Sequence, residues 1–187
     1  MPAPYKVAVV VGSLRKESFN RKMAHALARL APSTLALEIV EIRDLPLFDQ
    51  DFEKSLPPAV VAFKARVQAA DAVLFVTPEY NRSVPGVLKN AIDCGSRPYG
   101  QSVWAGKPGA VVSVSGGGIG GFGANHHLRQ SMVFLDVPMM AQPEAYVGGA
   151  TTLFDAKGDV AKDETREFLQ RFMTAYADWV GRHVGRA

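Results

Sequence analysis

The sequence predicts a single α/β domain built on a doubly wound, five-stranded parallel sheet with helices on both faces. Three observations predict it. Short β-branched runs alternate with longer amphipathic stretches, the pattern of parallel strands joined by crossover helices and not of a sandwich or a bundle. One run, Ala72 to Thr77, is almost uninterruptedly apolar, as a strand buried on both faces of a parallel sheet must be. The length of 187 residues suffices for one substantial core and falls short of two ordinary domains, and no repeat, low-complexity tract or linker divides residues 1 to 187.

Taken in order, the first strand is expected at Tyr5 to Val11. A helix over Phe19 to Leu30 follows, with Met23, Ala26, Leu27 and Leu30 on one face and Pro32 as its stop. The second strand is read at Ala36 to Ile42, and the polar, Pro-bearing stretch Arg43 to Pro58 as a long surface loop of the kind that often carries function. A second helix near Ala59 to Ala69 leads into the strand Ala72 to Thr77, the expected centre of the sheet. A third helix is expected around Val84 to Cys94 and a fourth strand at Gly109 to Val114. That strand enters a glycine-rich loop, followed by a helix near Ala124 to Phe134 and a short last strand near Val137 to Ala141. Asp163 to Val180 reads as the terminal helix, where Phe168, Leu169, Phe172, Tyr176 and Trp179 form a stripe more typical of core than of a cofactor site.

Composition narrows the function. With 48% hydrophobic and 21% charged residues the chain has the make-up of an ordinary globular protein. Its net charge of +3 is spread over scattered Lys and Arg, which argues against a nucleic-acid surface. Cys94 is the only cysteine, so no internal disulfide or thiolate cluster can form, as expected of a reducing cytoplasm. Cys94 itself has no CxxC partner and reads as a packing residue. The N-terminal segment MPAPYKVAVVVGS runs into Gly-Ser without a cleavage-like site, and no segment reaches the roughly 18 apolar residues of a membrane span.

In a doubly wound sheet the ligand crevice lies beyond the carboxyl ends of the strands. Three loops should meet there: Gly12 to Asn20, Pro78 to Gly86, and Ser115 to Gly123. The first joins a buried strand to a helix N-terminus, where unpaired N–H groups and the helix dipole favour an anion. Ser13, Ser18 and Asn20 add neutral donors and Arg15 a charged fork, so the loop is read as a phosphate site; the competing reading is that Ser18 or Asn20 merely caps the helix. The loop lacks the Gly-x-x-x-x-Gly-Lys-Ser/Thr order of a triphosphatase, and Gly106-Lys107 precedes a strand instead of a helix. In the second loop, Pro78, Pro85 and Gly86 constrain a turn that can grip a flat heterocycle, with backbone groups from Glu79 to Asn81 for its polar edge and Tyr80 as cover. An ordinary strand-to-helix turn with an exposed Tyr is the alternative.

These residues carry a resemblance. Gly-Ser-Leu-Arg-Lys-Glu-Ser-Phe-Asn followed by Pro-Glu-Tyr-Asn-Arg-Ser-Val-Pro-Gly-Val-Leu-Lys-Asn-Ala-Ile-Asp resembles the NADPH-dependent FMN reductase family, within which bacterial quinone and chromate reductases look most similar. It spans Lys6 to about Gly149, and the two motifs in this order are far more specific than either alone. The resemblance implies a flavodoxin-like three-layer αβα fold of strand order 2-1-3-4-5. It also implies bound FMN, with NADPH or NADH as co-substrate. By position, the phosphate would fall to Ser13, Arg15, Ser18, Phe19 and Asn20, the ring to Pro78, Glu79, Tyr80 and Asn81, and a third contact to Ser115, Gly116 and Gly117. Arg82 stands where similar proteins can carry an aromatic residue. Quinones, chromate, azo or nitro compounds and free flavin are the implied acceptors, and a homodimer or homotetramer the implied assembly, with the Gly-rich loop and the His126 to Phe134 helix as an interface. An acidic electron-carrier flavodoxin is the alternative class, to which a slightly basic chain is poorly suited.

Two features read as decoys. Gly118 to Gly123 matches Gly-x-Gly-x-x-Gly, with Glu144 at the spacing of a ribose-binding acid, but a dinucleotide fingerprint opens on the first strand and three strands precede this one. It is read as a flexible loop covering the flavin and the nicotinamide entrance. His126 and His127 are adjacent, so on a helix they point about 100° apart and are poorly placed to share a metal. No side chain is assigned a catalytic or metal-binding role. The cofactor itself would take and pass on the hydride, with donor and acceptor visiting one face in turn.

Overall fold

The computed structural model describes residues 3–185; the first two residues of the N-terminal segment, and the last two of the chain, lie outside the described residues. The elements run β1 (Tyr5–Val11), α1 (Phe19–Leu30), β2 (Leu35–Val40), α2 (Pro58–Gln68), β3 (Ala72–Thr77), α3 (Gly86–Ser96), β4 (Gly109–Val114), α4 (Phe122–Phe134), β5 (Ala145–Val147) and α5 (Asp163–Val184). The strands pair in parallel in the order β2-β1-β3-β4-β5, the flavodoxin-like topology.

Alternation along β1 divides the core into two layers. Val7, Val9 and Val11 face α1 and α5, where Met23, Leu27, Phe172 and Tyr176 are fully buried. Ala8 and Val10 face α2, α3 and α4, represented by Phe63, Leu88 and Leu128. Every residue of β3 and β4 is buried, which is why both read as unbroken apolar runs. The stripe on α5 is core: Tyr176 donates its hydroxyl to the Val73 carbonyl at 2.7 Å, tying the last helix to the central strand. On the opposite layer Trp104 is fully buried between Phe63 and Phe75 and donates Nε1 to the Ile92 carbonyl at 3.0 Å. It lies flat against Gly95, where an added Cβ would stand 2.6 Å from the indole ring.

The last strand differs from expectation. Val137 to Ala141 contributes only an isolated bridge, Met139 to Gly109, and the ladder with β4 forms later, at Ala145–Val147. Pro138 has no N–H to give, and Pro143 again removes a donor just before the pairing begins. The long loop after β2 is an ordered strap: it contains a 3₁₀ turn at Gln50–Lys54 and is pinned to α3 by Asn90, which donates to the Pro46 carbonyl at 2.9 Å and accepts from the Phe48 amide at 2.8 Å. Cys94 packs beneath it at 1% exposure, and burial pushes its thiol pKa up. Among the described residues no helix is long and apolar enough to cross a membrane.

Candidate functional site

At the carboxyl ends of β1, β3 and β4 the three loops converge on a cleft of about 260 Å³ lined by Ser13, Arg15, Ser18, Phe19, Asn20, Pro78, Glu79, Tyr80, Val114, Ser115 and Gly116. Of the residues expected there, only Asn81 and Gly117 are not part of the lining. Val114 was not expected; it reads as an interior strand residue, and only the long-range contact with Asn20 reveals its role. Larger hollows exist, one of about 430 Å³ at the start of α5. The helix start there already carries Asp163 and Glu164, whereas the first turn of α1 carries no acid to balance its dipole.

The first loop turns tightly because Gly12 has no side chain. A Cβ there would meet Thr77 Oγ1 at 3.0 Å and Leu88 Cδ2 at 3.1 Å. The Gly12 amide donates to the Val76 carbonyl at 2.9 Å, continuing the ladder to the lip of the cleft. Ser13, Ser18 and Asn20 are buried polar residues. Ser18 does cap α1, accepting from the Arg21 amide at 3.2 Å, and its hydroxyl proton remains available; capping and anion binding are therefore compatible. Asn20 donates Nδ2 to the Val114 carbonyl at 3.3 Å, and its Oδ1 has no partner. An unpaired buried acceptor beside a helix N-terminus calls for a ligand with both an anionic group and a hydroxyl or N–H donor. The Arg15 guanidinium stands 6.0 Å from the Phe19 ring centroid at the cleft's edge.

In the second loop, Tyr80 and Ser83 close a two-residue hairpin through amide-to-carbonyl bonds of 3.1 and 3.0 Å. Its central residues Asn81 and Arg82 both take positive φ, +51° and +63°, as a type I′ turn requires. Tyr80 is 48% exposed at the mouth. The Glu79 carboxylate is engaged by the protein itself, accepting from the Ala124 amide at 3.1 Å and from Arg82 Nη1 at 3.0 Å.

The third loop pivots on Ser115, whose Oγ accepts from the Gly117 amide at 3.2 Å. Gly120, at φ +65°, lies so close beneath β5 that a Cβ would approach the Tyr146 carbonyl carbon to 2.5 Å. Two glycines of the apparent dinucleotide fingerprint, Gly120 and Gly123, thus serve close packing, whereas Gly118 has open space around it. Glu144 lies 3.9 Å from His126 Nε2, and His126 also meets the Tyr146 hydroxyl at 2.8 Å, whereas His127 pairs with Ser83 Oγ at 2.7 Å. The two histidines therefore face different partners, and among the described residues no His, Cys, Asp or Glu group is placed to hold a metal. Burial, and then the Glu144 carboxylate, push the Tyr146 phenol up to about 12.

The family model for NADPH-dependent FMN reductase matches residues 5–152. A quinone reductase of Pseudomonas putida is 66% identical over 181 residues, covering 96% of this chain and 97% of that protein. A 2-hydroxy-1,4-benzoquinone reductase of Burkholderia sp is 53% identical over 175 residues, covering 94% and 96%. The solved structure of a flavoenzyme NAD(P)H:(acceptor) oxidoreductase from Paracoccus denitrificans is similar with a TM-score of 0.91 at 44% identity, over 96% of this chain and 98% of that one.

Proposed function

The chain belongs to the NADPH-dependent FMN reductase family, and from that premise we propose that it holds FMN in the three-loop cleft and uses NAD(P)H to reduce quinone-like acceptors. The observation that carries this reading is the unpaired Asn20 Oδ1 buried beside the acid-free start of α1. FMN offers what those groups lack: a phosphate for the α1 amides, Ser13, Ser18 and Arg15, and hydroxyl donors on its ribityl chain for Asn20. Phe19 backs the Arg15 side chain at this end. Pro78, Tyr80 and the backbone of Glu79 and Asn81 would present the second loop to the ring, and Ser115, Gly116 and Gly117 the third.

When bound, FMN supplies the hydride-accepting and electron-donating chemistry. The residues of this chain bind and orient. The buried serines and Asn20 anchor one end, so that the other end is presented at a fixed depth beside Tyr80, where reactants must approach within roughly 3 to 3.5 Å. Tyr80 and the exposed Gly116 to Gly118 leave the mouth open, which supports donor and acceptor entering in turn, in ping-pong order, and a broad acceptor range that includes chromate, azo or nitro compounds and free flavin. One sheet carries all three loops, which supports reading residues 1–187 as one FMN-binding domain. The exposed Val133 and Phe134 on α4 suit a homo-oligomer contact, and the single buried Cys94 suits a reducing cytoplasm.

Anaerobic stopped-flow absorbance tests the reading. The FMN-loaded protein is mixed with NADPH or NADH and then with a benzoquinone; bleaching of the flavin band and its quinone-driven return are expected. Bound flavin that neither nucleotide bleaches would identify an electron carrier instead, and a chain that takes up no FMN would overturn the assignment of the cleft.

A further inference from the structure

The start of α4 is capped from outside its own sequence. Its N-cap residue, Gly121, has no side chain to offer, and the first-turn amide of Ala124 is taken by Glu79, 45 residues upstream on the second loop, at 3.1 Å. The side chain of Glu79 is only 11% exposed, and the space it occupies exists because position 123 is glycine: a Cβ there would stand 2.9 Å from Glu79 Oε2. Arg82 holds the other carboxylate oxygen at 3.0 Å while its backbone sits at φ +63°, a conformation that favours glycine. Nothing about the turn itself asks for arginine. A second tie, Ser83 Oγ to His127 Nδ1 at 2.7 Å, joins the same hairpin to the next turn of α4.

We propose that Glu79 and Arg82 are positioning residues for cofactor binding, clamping the second loop onto the N-terminus of α4 so that Tyr80 and the backbone from Pro78 to Asn81 are held in the orientation that receives the flavin ring. This rests on the reading of the cleft as the FMN site. Glu79 then contributes its backbone to the cleft, and its carboxylate couples the ring-binding loop to the glycine-rich loop. Arg82 occupies a glycine-like position because its guanidinium keeps that carboxylate aimed.

The test is FMN affinity, by quenching of flavin fluorescence, alongside thermal unfolding and amide hydrogen exchange of the FMN-free protein. Glu79→Ala should weaken FMN about tenfold, the equivalent of one good hydrogen bond, and speed exchange at the Ala124 amide. Glu79→Gln, which can still accept from Ala124, should recover most of the affinity. Arg82→Gly is the decisive variant, because it relaxes the turn and releases the carboxylate together. Its FMN-free melting temperature should hold or rise while its FMN affinity falls severalfold, an opposition that a merely structural role does not produce. FMN affinity unchanged in Glu79→Ala and Arg82→Gly would overturn the proposal. A wild-type chain that binds no FMN would overturn the reading of the site, while unchanged exchange at Ala124 in Glu79→Ala would separately refute the clamp.

Discussion

Replacing Asn20 by alanine should separate the two roles of a buried amide. Asn20 is 4% exposed, donates one long bond of 3.3 Å to Val114 and leaves Oδ1 unpaired. A bond at that length sits beyond the usual N–H···O range and contributes about 0.5 kcal/mol, whereas an unsatisfied buried carbonyl costs about 1 to 3 kcal/mol. Truncation removes both and leaves a small void costing on the order of 1 kcal/mol, so the stability of the empty protein should change by no more than about 1.5 kcal/mol, or roughly 3 to 6 °C in Tm for a domain of this size. On the proposed role of Asn20, the loaded protein should lose a bond that Oδ1 accepts from the ligand, worth about 1.5 kcal/mol or roughly tenfold in Kd. Calorimetric unfolding of the empty protein and titration with FMN measure the two numbers. Asn20→Asp, nearly isosteric but charged beside the phosphate site, should weaken FMN further still. An Asn20→Ala protein that loses more than about 3 kcal/mol when empty, yet binds FMN as tightly as wild type, would show that the amide serves the fold alone and would refute the reasoning.

Ser18→Ala removes the α1 cap, so it should cost about 1 kcal/mol in denaturant unfolding of the empty protein and also weaken FMN; a loss of stability with unchanged affinity would confine Ser18 to capping. Gly95→Ala drives a methyl into the indole of Trp104 and should destabilise by about 1 to 3 kcal/mol, read as a lower thermal midpoint with FMN affinity retained. Tyr146, with its folded pKa raised to about 12 from the ordinary 10.0, contributes stability that is complete below pH 10 and is lost as pH climbs through about 12. Denaturant midpoints across that window should fall less steeply for Tyr146→Phe than for wild type.

The fold was legible where local chemistry and tertiary demand agree. β1, α1, β3 and β4 stand at their expected bounds because unbroken apolar runs, the Ser18 cap and the Pro32 stop all point the same way. β5 was not legible: the apolar residues from Val137 to Met140 look more like a strand than Ala145–Val147 does, and only the missing N–H groups of Pro138 and Pro143 shift the pairing onward. At the cleft, residue types at a strand-to-helix junction were enough to bring together its polar lining. The direction of the Glu79 side chain was not readable, because its partners lie at Ala124, far along the chain, and at Arg82, whose left-handed backbone has no sequence signature. The Gly-x-Gly-x-x-Gly pattern misdirects for a related reason, since close packing beneath β5 and beside Glu79 demands the same residue that a pyrophosphate would.

The glycine-rich run is two segments of opposite character. Gly120 and Gly121 are held by positive φ and by close neighbours, a Cβ at Gly120 falling 2.5 Å from the Tyr146 backbone and one at Gly121 3.0 Å from Ser113 Cβ, but Gly116, Gly117 and Gly118 are exposed, free of positive φ, and would place a Cβ no closer than 3.8 Å to any neighbour. Gly116 lines the cleft, and Gly117 and Gly118 run on from it as a blank margin of the loop. A mutational library confined to Gly118, which is assigned no contact with FMN, should therefore alter the size and polarity of the proposed acceptor entrance while every packed residue of the scaffold stays as it is, and selection on acceptors of different bulk would show how far preference in this chain is written on that margin.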